Sequence, residues 1–403
     1  MPPEGKGIDA LPDEVLHHIL GFLEAQESVR TCVLSRRWRN LWKSAPDLRI
    51  LASKGKFLGS VEKLCNFLDC LLDVRTCELC FSYWTTAASI VQFIQRLEPL
   101  VGNWFRHASV CKAQVLSLYA HDSGRIDGYH GHTVCLYKIP HLNSQHLTRL
   151  EFGSVVVDNS FLNFSNCPSL QHLKFENCCF GSYGLKLGDS RTHICAPNLV
   201  SLHLDETWGW TIPTLESMPS LVKAFVRICM VPGDSCGLMG NCTCEFCDNF
   251  YNIGDGTGSN GCVLLNGLSE AKDLTLISAP QPFIFKKDLR WCPTFRKLQT
   301  LLLNDYWCVP DDFRALVCLL EHSPVLEKLT LSLSSKVEQQ RKTNNGSLRP
   351  MERSAAILEH HKIIEVRCDV VDERICKLTL FLCAFHIHLS FNNPDQDEEE
   401  GHV

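Results

Sequence analysis

Between residues 11 and 42 the apolar positions recur at helical spacing. After Leu11-Pro12 they fall at Val15, Leu16, Ile19, Leu20 and Leu23, one face of a 3.6-residue helix. Pro12 suits the first turn, where its missing N–H is not needed, and Asp13 and Glu14 favour the positive end of the helix dipole. A shorter run, Val29, Cys32, Val33 and Leu34, follows Ser28, whose hydroxyl is placed to cap a second helix. Ser35 is placed to cap a third, with Trp38, Leu41 and Trp42 on one side and Arg36, Arg37, Arg39 and Lys43 on the rest. About forty residues is near the lower limit for a core that stands alone. Two Trp and a row of Leu and Ile in so small a unit predict that part of its apolar face belongs to a partner. An ordinary helical subdomain packed on the rest of the chain is the alternative.

From about residue 147 the pattern changes to a six-residue signature: apolar, two variable, apolar, one variable, apolar. It opens at 147 (LTRLEF), 170 (LQHLKF), 199 (LVSLHL), 221 (LVKAFV), 271 (AKDLTL), 298 (LQTLLL), 326 (LEKLTL) and, more weakly, 361 (HKIIEV). Most intervals fall in the roughly 20–29-residue range of leucine-rich repeats. The last two apolar positions lie two apart, so they share one side of a short strand. The residues between them, Glu151, Lys174, His203, Thr275 and Thr330, point the other way. Stacking such strands predicts a parallel sheet with its apolar side inward. A helix is expected around Phe313, Leu316, Val317 and Leu320, and Pro168 and Pro324 sit where a helix ends and the next strand begins. The Asn or Cys that commonly follows such a strand is met by Cys178 and Cys229 alone. CELCF at 77–81 and QVLSLY at 114–119 are candidate starting repeats, with a helical stretch, SIVQFIQRLEPLVGNWF, between them. An irregular α/β domain is the alternative.

The 403 residues, 45% hydrophobic and 21% charged, are those of a globular protein with room for two or three domains. A net charge of −6 offers no basic stripe for a nucleic-acid duplex, and Arg36-Arg37-Trp38-Arg39 reads as a solvated helix face. The polar, acidic start resembles no signal peptide, and no apolar run reaches the roughly 18 residues that span a bilayer. The expectation is a protein of the cytoplasm or nucleus, without membrane or nucleic-acid partners. In such a reducing compartment the 23 Cys, scattered among hydrophobic runs, are mostly small buried hydrophobes.

The sharpest chemical candidate is Cys236, Cys242, Cys244 and Cys247, four thiols in twelve residues that zinc would hold tetrahedrally. Cys-x-Cys makes a strained chelate, and no second conventional pair closes the site. The segment lies in a Gly/Asn/Asp-rich insertion where the repeat skips one period. A mobile reduced loop with no metal is the expectation, and zinc the alternative. His130 with His132, and His360 with His361, lack companion ligands. No nucleophile-elbow or phosphate-loop pattern occurs, so no residue is assigned a catalytic role and no cofactor is expected.

Leu-Pro-Asp-Glu-x-Leu-x-x-Ile-Leu-x-x-Leu followed by Val-Leu-Ser-Arg-Arg-Trp-Arg-x-Leu-Trp closely resembles the F-box, particularly the plant type. By that resemblance Leu11, Pro12, Leu16, Ile19, Leu20, Val33, Leu34, Ser35, Trp38 and Trp42 match the family's adaptor-contact and core pattern. Glu24 stands where the family usually has Pro. With the repeats, and with HHKIIEVRCDVVDERICKLTLFL resembling an FBD-type strand and helix, the chain is similar to plant F-box/leucine-rich-repeat proteins. The expected class is α/β: a three-helix F-box, then a leucine-rich-repeat solenoid with a parallel sheet. The expected layout is an F-box at 8–50, linker and atypical repeats at 51–146, the solenoid at 147–333, a polar loop at 334–353, an FBD-like segment at 354–390 and a disordered acidic tail at 391–403. The resemblance implies a non-catalytic substrate receptor. It would bind a Skp-family adaptor, and through it a cullin, and would capture an unknown protein target through outward strand residues such as Lys174, His203, Thr275 and Thr330. A repeat scaffold without a ubiquitin-ligase role is the alternative.

Overall fold

A computed structural model of the chain describes residues 7–53, 67, 71, 74–83, 101–109, 112–122, 134–136, 142–157, 161–180, 193–209, 213–230, 264–278, 285, 288–289, 291–308, 313–333, 363–368, 371–383 and 389–392. The chain forms two compact units, residues 1–188 with 192–199, and residues 189–191 with 200–403.

The first unit opens with α1 (Asp13–Gly21), α2 (Ala25–Arg30) and α3 (Trp38–Leu41), with 3-10 turns at Thr31–Val33 and Trp42–Ser44. Pro12 immediately precedes α1, and Asp13 and Glu14 occupy its first turn. Two capping expectations are corrected. Glu24, not Ser28, stands at the start of α2. Ser28 is buried inside that helix, where its hydroxyl donates to Leu20 O at the end of α1 (3.2 Å). Arg37 rather than Ser35 precedes α3, and its side chain makes no cap bond.

Among the described residues, five strands of the main ladder follow in chain order, each parallel to the one before: β1 (Asp47–Ser53), β2 (Thr76–Tyr83), β3 (Val115–Asp122), β4 (Arg149–Gly153) and β5 (His172–Glu176). The second unit continues the same plan with β6 (Ser201–Gly209), β7 (Lys223–Met230), β8 (Asp273–Ser278), β9 (Thr300–Asn304), β10 (Lys328–Leu333), β11 (Ile363–Cys368) and β12 (Leu389–Asn392). All eight six-residue signatures lie on these strands, and the two candidate starting repeats are β2 and β3. N-terminal helices followed by parallel sheet are thus the expected α/β class. Strand β1 begins at 47, inside the range expected for the helices, and β12 runs across the expected start of the tail at 391.

Alternation sets the two faces of each sheet. In the first unit Leu48, Cys77, Leu116, Leu150 and Leu173 stand in register on the inner side, and Ile50, Leu79, Leu118, Phe152 and Phe175 form a second inner row. Phe152 and Phe175 stack with centroids 5.4 Å apart, and Phe161 meets Phe152 edge-on at 5.5 Å. In the second unit Leu202, Ala224, Leu274, Leu301, Leu329 and Ile364 form one buried row. The residue just before each strand extends the ladder: Lys272 N–H donates to Val222 O, Gln299 N–H to Lys272 O and Glu327 N–H to Gln299 O, at 2.8–2.9 Å.

The turn after the strand explains why the repeat looks degenerate. Cys178, fully buried, donates to Phe152 O of the preceding strand (3.5 Å), and burial pushes its thiol up to about 12. In the second unit the same need is met by Trp307, whose indole donates to Leu276 O (3.0 Å), and by Asn304, which bonds both backbone groups of Ser278. Ser154 and Asn177, each two residues past the last inward residue, hold φ of 55° and 51°.

The expected helix of the 313–320 segment is α4 (Arg314–Glu321), and the C-terminal segment is β11 followed by α5 (Glu373–Cys383). Residues 101–109, at the end of the predicted linker helix, are helical. No helix among the described residues is long and apolar enough to cross a membrane. The polar loop at 334–353 and residues 393–403 of the tail lie outside the described residues.

Candidate functional site

The N-terminal helices separate the residues expected to meet an adaptor into three sets. Leu16, Leu20 and Trp38 are buried and, with Leu41 and Ala45, make the core of the helical unit. Leu11, Ile19, Leu23 and Trp42 pack against that core and are partly covered. Pro12, Val33 and Leu34 are exposed, and Ser35 is half-buried. Leu16, Leu20 and Trp38 therefore hold the helices together, and Val33 and Leu34, at 83% and 59% exposure, offer apolar surface. Two further apolar residues join the exposed set. Val15 was placed on the inner stripe and faces solvent, and Phe22 is 70% exposed. They lie seven residues apart on one side of the helix, with His18 edge-on to Phe22 at 4.9 Å.

Polar contacts fix this face. Arg37 pairs with Asp13, its Nε donating at 2.9 Å, which ties the 33–37 turn to the start of α1. Thr31 Oγ1 donates to Ser28 O (2.6 Å), and Leu34 N–H to Thr31 O (3.0 Å), so the turn presenting Val33 and Leu34 is closed by its own bonds. Trp42 donates to Arg39 O (3.1 Å) and stacks on Phe67 with centroids 5.5 Å apart. Glu24 holds φ −62°, the value a proline at that position would impose.

On the strands the outward rows are polar in the first unit and mixed in the second. Arg49, Glu78, Ser117, Glu151 and Lys174 stand in register. Arg49 pairs with Glu78 (2.9 Å), Tyr119 donates to Glu151 (2.7 Å), and Lys174 pairs with Glu176 (2.7 Å). Burial, then the Glu151 bond, raises the Tyr119 phenol well above its ordinary value. Gly153 is required beneath that ring, because a Cβ there would overlap it. In the second unit the row is His203, Phe225, Thr275, Leu302, Thr330 and Glu365. His203 stacks on Phe225 at 4.4 Å, and Arg227 pairs with Asp205 at 2.9 Å. Lys174, His203 and Thr275 are half-buried. Thr330 is not: it sits between Leu302 and Glu365 at 6% exposure, so its place among the target-binding residues is corrected to a covered one. Glu365 is covered too, at 4%. Lys328 (2.8 Å) and then Arg367 (2.9 Å) hold its carboxyl down to about 2.

Cys236, Cys242, Cys244 and Cys247 lie outside the described residues, as do His130, His132, His360 and His361. A different set, not expected from sequence, brings metal-ligand chemistry together: Cys292, Cys318 and His322, whose ligand atoms all lie within 4.8 Å of one another. The Cys292 hydrogen bond, opposed by burial and assisted by His322, draws the Cys318 thiol down to about 7. Only the helical spacing of Cys318 and His322 pointed that way in the sequence; Cys292 comes from a separate segment.

Comparison with known proteins agrees with this anatomy. The F-box domain family matches residues 8–49. An F-box/FBD/LRR-repeat protein of Arabidopsis thaliana is 30% identical over 177 residues, which is 44% of this chain and only 38% of the relative's length. A second Arabidopsis F-box/FBD/LRR-repeat protein is 25% identical over 94% of this chain and 88% of its own length, and a third is 24% identical over 83% and 78%. The chain thus carries an F-box at its N-terminus and, along most of its length, is similar to the plant F-box/leucine-rich-repeat proteins.

Proposed function

We propose that this chain is a non-catalytic substrate-recognition subunit of an SCF-type ubiquitin ligase. The F-box binds a Skp-family adaptor, and through it a cullin, while the outward faces of the strands and their connecting turns select a protein target. The observation that carries the reading is the exposed apolar set Val15, Phe22, Val33 and Leu34, mounted on helices whose core is already complete with Leu16, Leu20 and Trp38. Exposed aliphatic and aromatic side chains on a packed base are what a partner can bury without refolding the chain. The mechanism is proximity: a target held on the strands is kept at high effective concentration beside the charged conjugating enzyme. Lys174, His203 and Thr275 are the target-facing residues this reading retains.

The experiment is reconstitution. The full chain, a Skp-family adaptor, a cullin and its RING partner are combined with conjugating enzyme, and ubiquitin transfer to captured protein, or to the chain itself, is followed. Assembly with transfer is the expected result. Assembly without transfer would favour an adaptor-bound scaffold, and failure to assemble would remove the ligase reading altogether.

A further inference from the structure

We propose that Cys292, Cys318 and His322 form a binding site for one thiophilic divalent cation of the zinc class, with a fourth position open to water or an incoming ligand. Two thiolates and an imidazole are a donor set that such an ion selects over oxygen-preferring cations. The placement is pre-built. Cys318 and His322 lie one helical turn apart at the C-terminal end of α4, so they share a face. Cys292 arrives from the segment before β9, and that segment is anchored to the helix end, because Phe295 N–H donates to His322 O at 2.7 Å.

The distances fit an ion of this size. Cys318 Sγ lies 3.9 Å from His322 Nδ1, and all three ligand atoms fall within 4.8 Å. Metal–sulfur and metal–nitrogen bonds of about 2.3 and 2.0 Å in a tetrahedron put ligand atoms roughly 3.5–3.8 Å apart, so side-chain adjustments of about 1 Å or less close the site. His322 Nδ1 is 2.8 Å from Cys318 O. Ligation through Nδ1 exchanges that hydrogen bond for the metal–nitrogen bond and leaves the imidazole proton on Nε2. The Cys318 thiol donates weakly to Leu289 O (3.5 Å), and Cys292 Sγ lies 3.7 Å from Pro293 O. Binding replaces both S–H bonds by metal–sulfur bonds and releases two protons to solvent. All three residues are half-buried, so an ion from solution reaches them without unfolding the sheet.

The test is a titration of the full, reduced, metal-free chain with Co²⁺, followed by displacement with Zn²⁺. The expected result is one Co²⁺ per chain, with thiolate-to-cobalt charge-transfer and tetrahedral d–d absorption that Zn²⁺ abolishes. Cys292→Ser and His322→Gln should each weaken binding at least tenfold. A chain with Cys242, Cys244 and Cys247 all changed to Ser should bind as the parent does. Cys318→Ser is the obvious variant but risks the helix; Cys292→Ser lies outside it and carries the test if Cys318→Ser fails to fold. No absorption in the parent chain would overturn the proposal. So would absorption that survives Cys292→Ser and disappears in the triple Ser variant.

Discussion

Leu301 and Leu302 are neighbours on β9 with identical side chains and opposite surroundings, which makes them a direct test of the strand register. Leu301 is 1% exposed and stands in register with Leu274 and Leu329 on the inner row. Leu302 is half-buried on the outer row between Thr275 and Thr330. Truncating a fully buried leucine to alanine loses the transfer free energy of the removed carbons and leaves a cavity, together about 3 kcal/mol and up to about 5 where neighbours cannot collapse. The inner rows are held in register by backbone ladders on both sides, so little relaxation is available and Leu301→Ala belongs in that range. Leu302→Ala removes a partly solvated side chain and should cost roughly 1 kcal/mol or less. Urea denaturation of the full chain, followed through Trp fluorescence and far-UV dichroism, measures both; Trp307 reports on the unit that holds β9. A difference of about 2 kcal/mol between the two variants is expected. Equal losses, or a larger loss for Leu302→Ala, would refute the register, because a one-residue slip exchanges the two faces completely.

Three further outcomes follow from the same geometry. Glu365, held at about 2 against an ordinary 4.5, stays ionised in the folded chain after it protonates in the unfolded one. Its stabilisation is therefore complete above about pH 4.5 and is lost as pH falls towards about 2; solvent screening at the half-exposed Lys328 and Arg367 limits it to ~1–2 kcal/mol. Glu365→Gln should flatten the acid limb of a melting-temperature profile over that window and leave the neutral limb parallel to the parent's. Thr330→Asp, on the outer row but covered, should destabilise the second unit by about 2 kcal/mol or more in thermal melts, whereas Thr275→Asp should cost under ~1 kcal/mol. Leu16→Ala should cost the F-box about 3 kcal/mol, seen as early proteolytic cleavage in the first fifty residues while the strands remain protected.

Much of this was legible in sequence because two periods announce themselves. Spacing of 3.6 marked α1, and the six-residue strand signature marked all eight strands that carry it, since alternation with one buried face leaves a strict apolar record. Burial within the helices was less legible. Val15 and Leu16 are both apolar and adjacent on the predicted stripe, yet one is exposed and the other closed in the core, and only the crossing of α1 with α3 decides which. Ser28 looked like a cap because caps and buried hydroxyls use the same side chain; the carbonyl of Leu20 claims it. Thr330 follows the outward rule and is nonetheless covered, because an outward position does not specify how far its neighbours reach over it. Strand β1 escaped because it carries only one buried pair, Leu48 and Ile50, and follows directly on the helical segment. The Cys292, Cys318 and His322 cluster was illegible for a simpler reason: its members are joined by the packing of a loop on a helix end, which leaves no spacing to read.

On the proposed reading, the exposed Val33 and Leu34 meet a Skp-family adaptor while Leu16, Leu20 and Trp38 already close the core of the helices. The measurement that tests it most directly is calorimetric titration of a purified Skp-family adaptor into the full chain and into a Val33→Asp, Leu34→Asp variant, with melting temperatures recorded for both. These side chains are exposed, so the variant should melt within a degree or two of the parent. Placing two charges in a buried contact should cost about 3 kcal/mol of binding, a roughly hundredfold loss of affinity. Binding within about threefold of the parent's, at unchanged stability, would contradict the account.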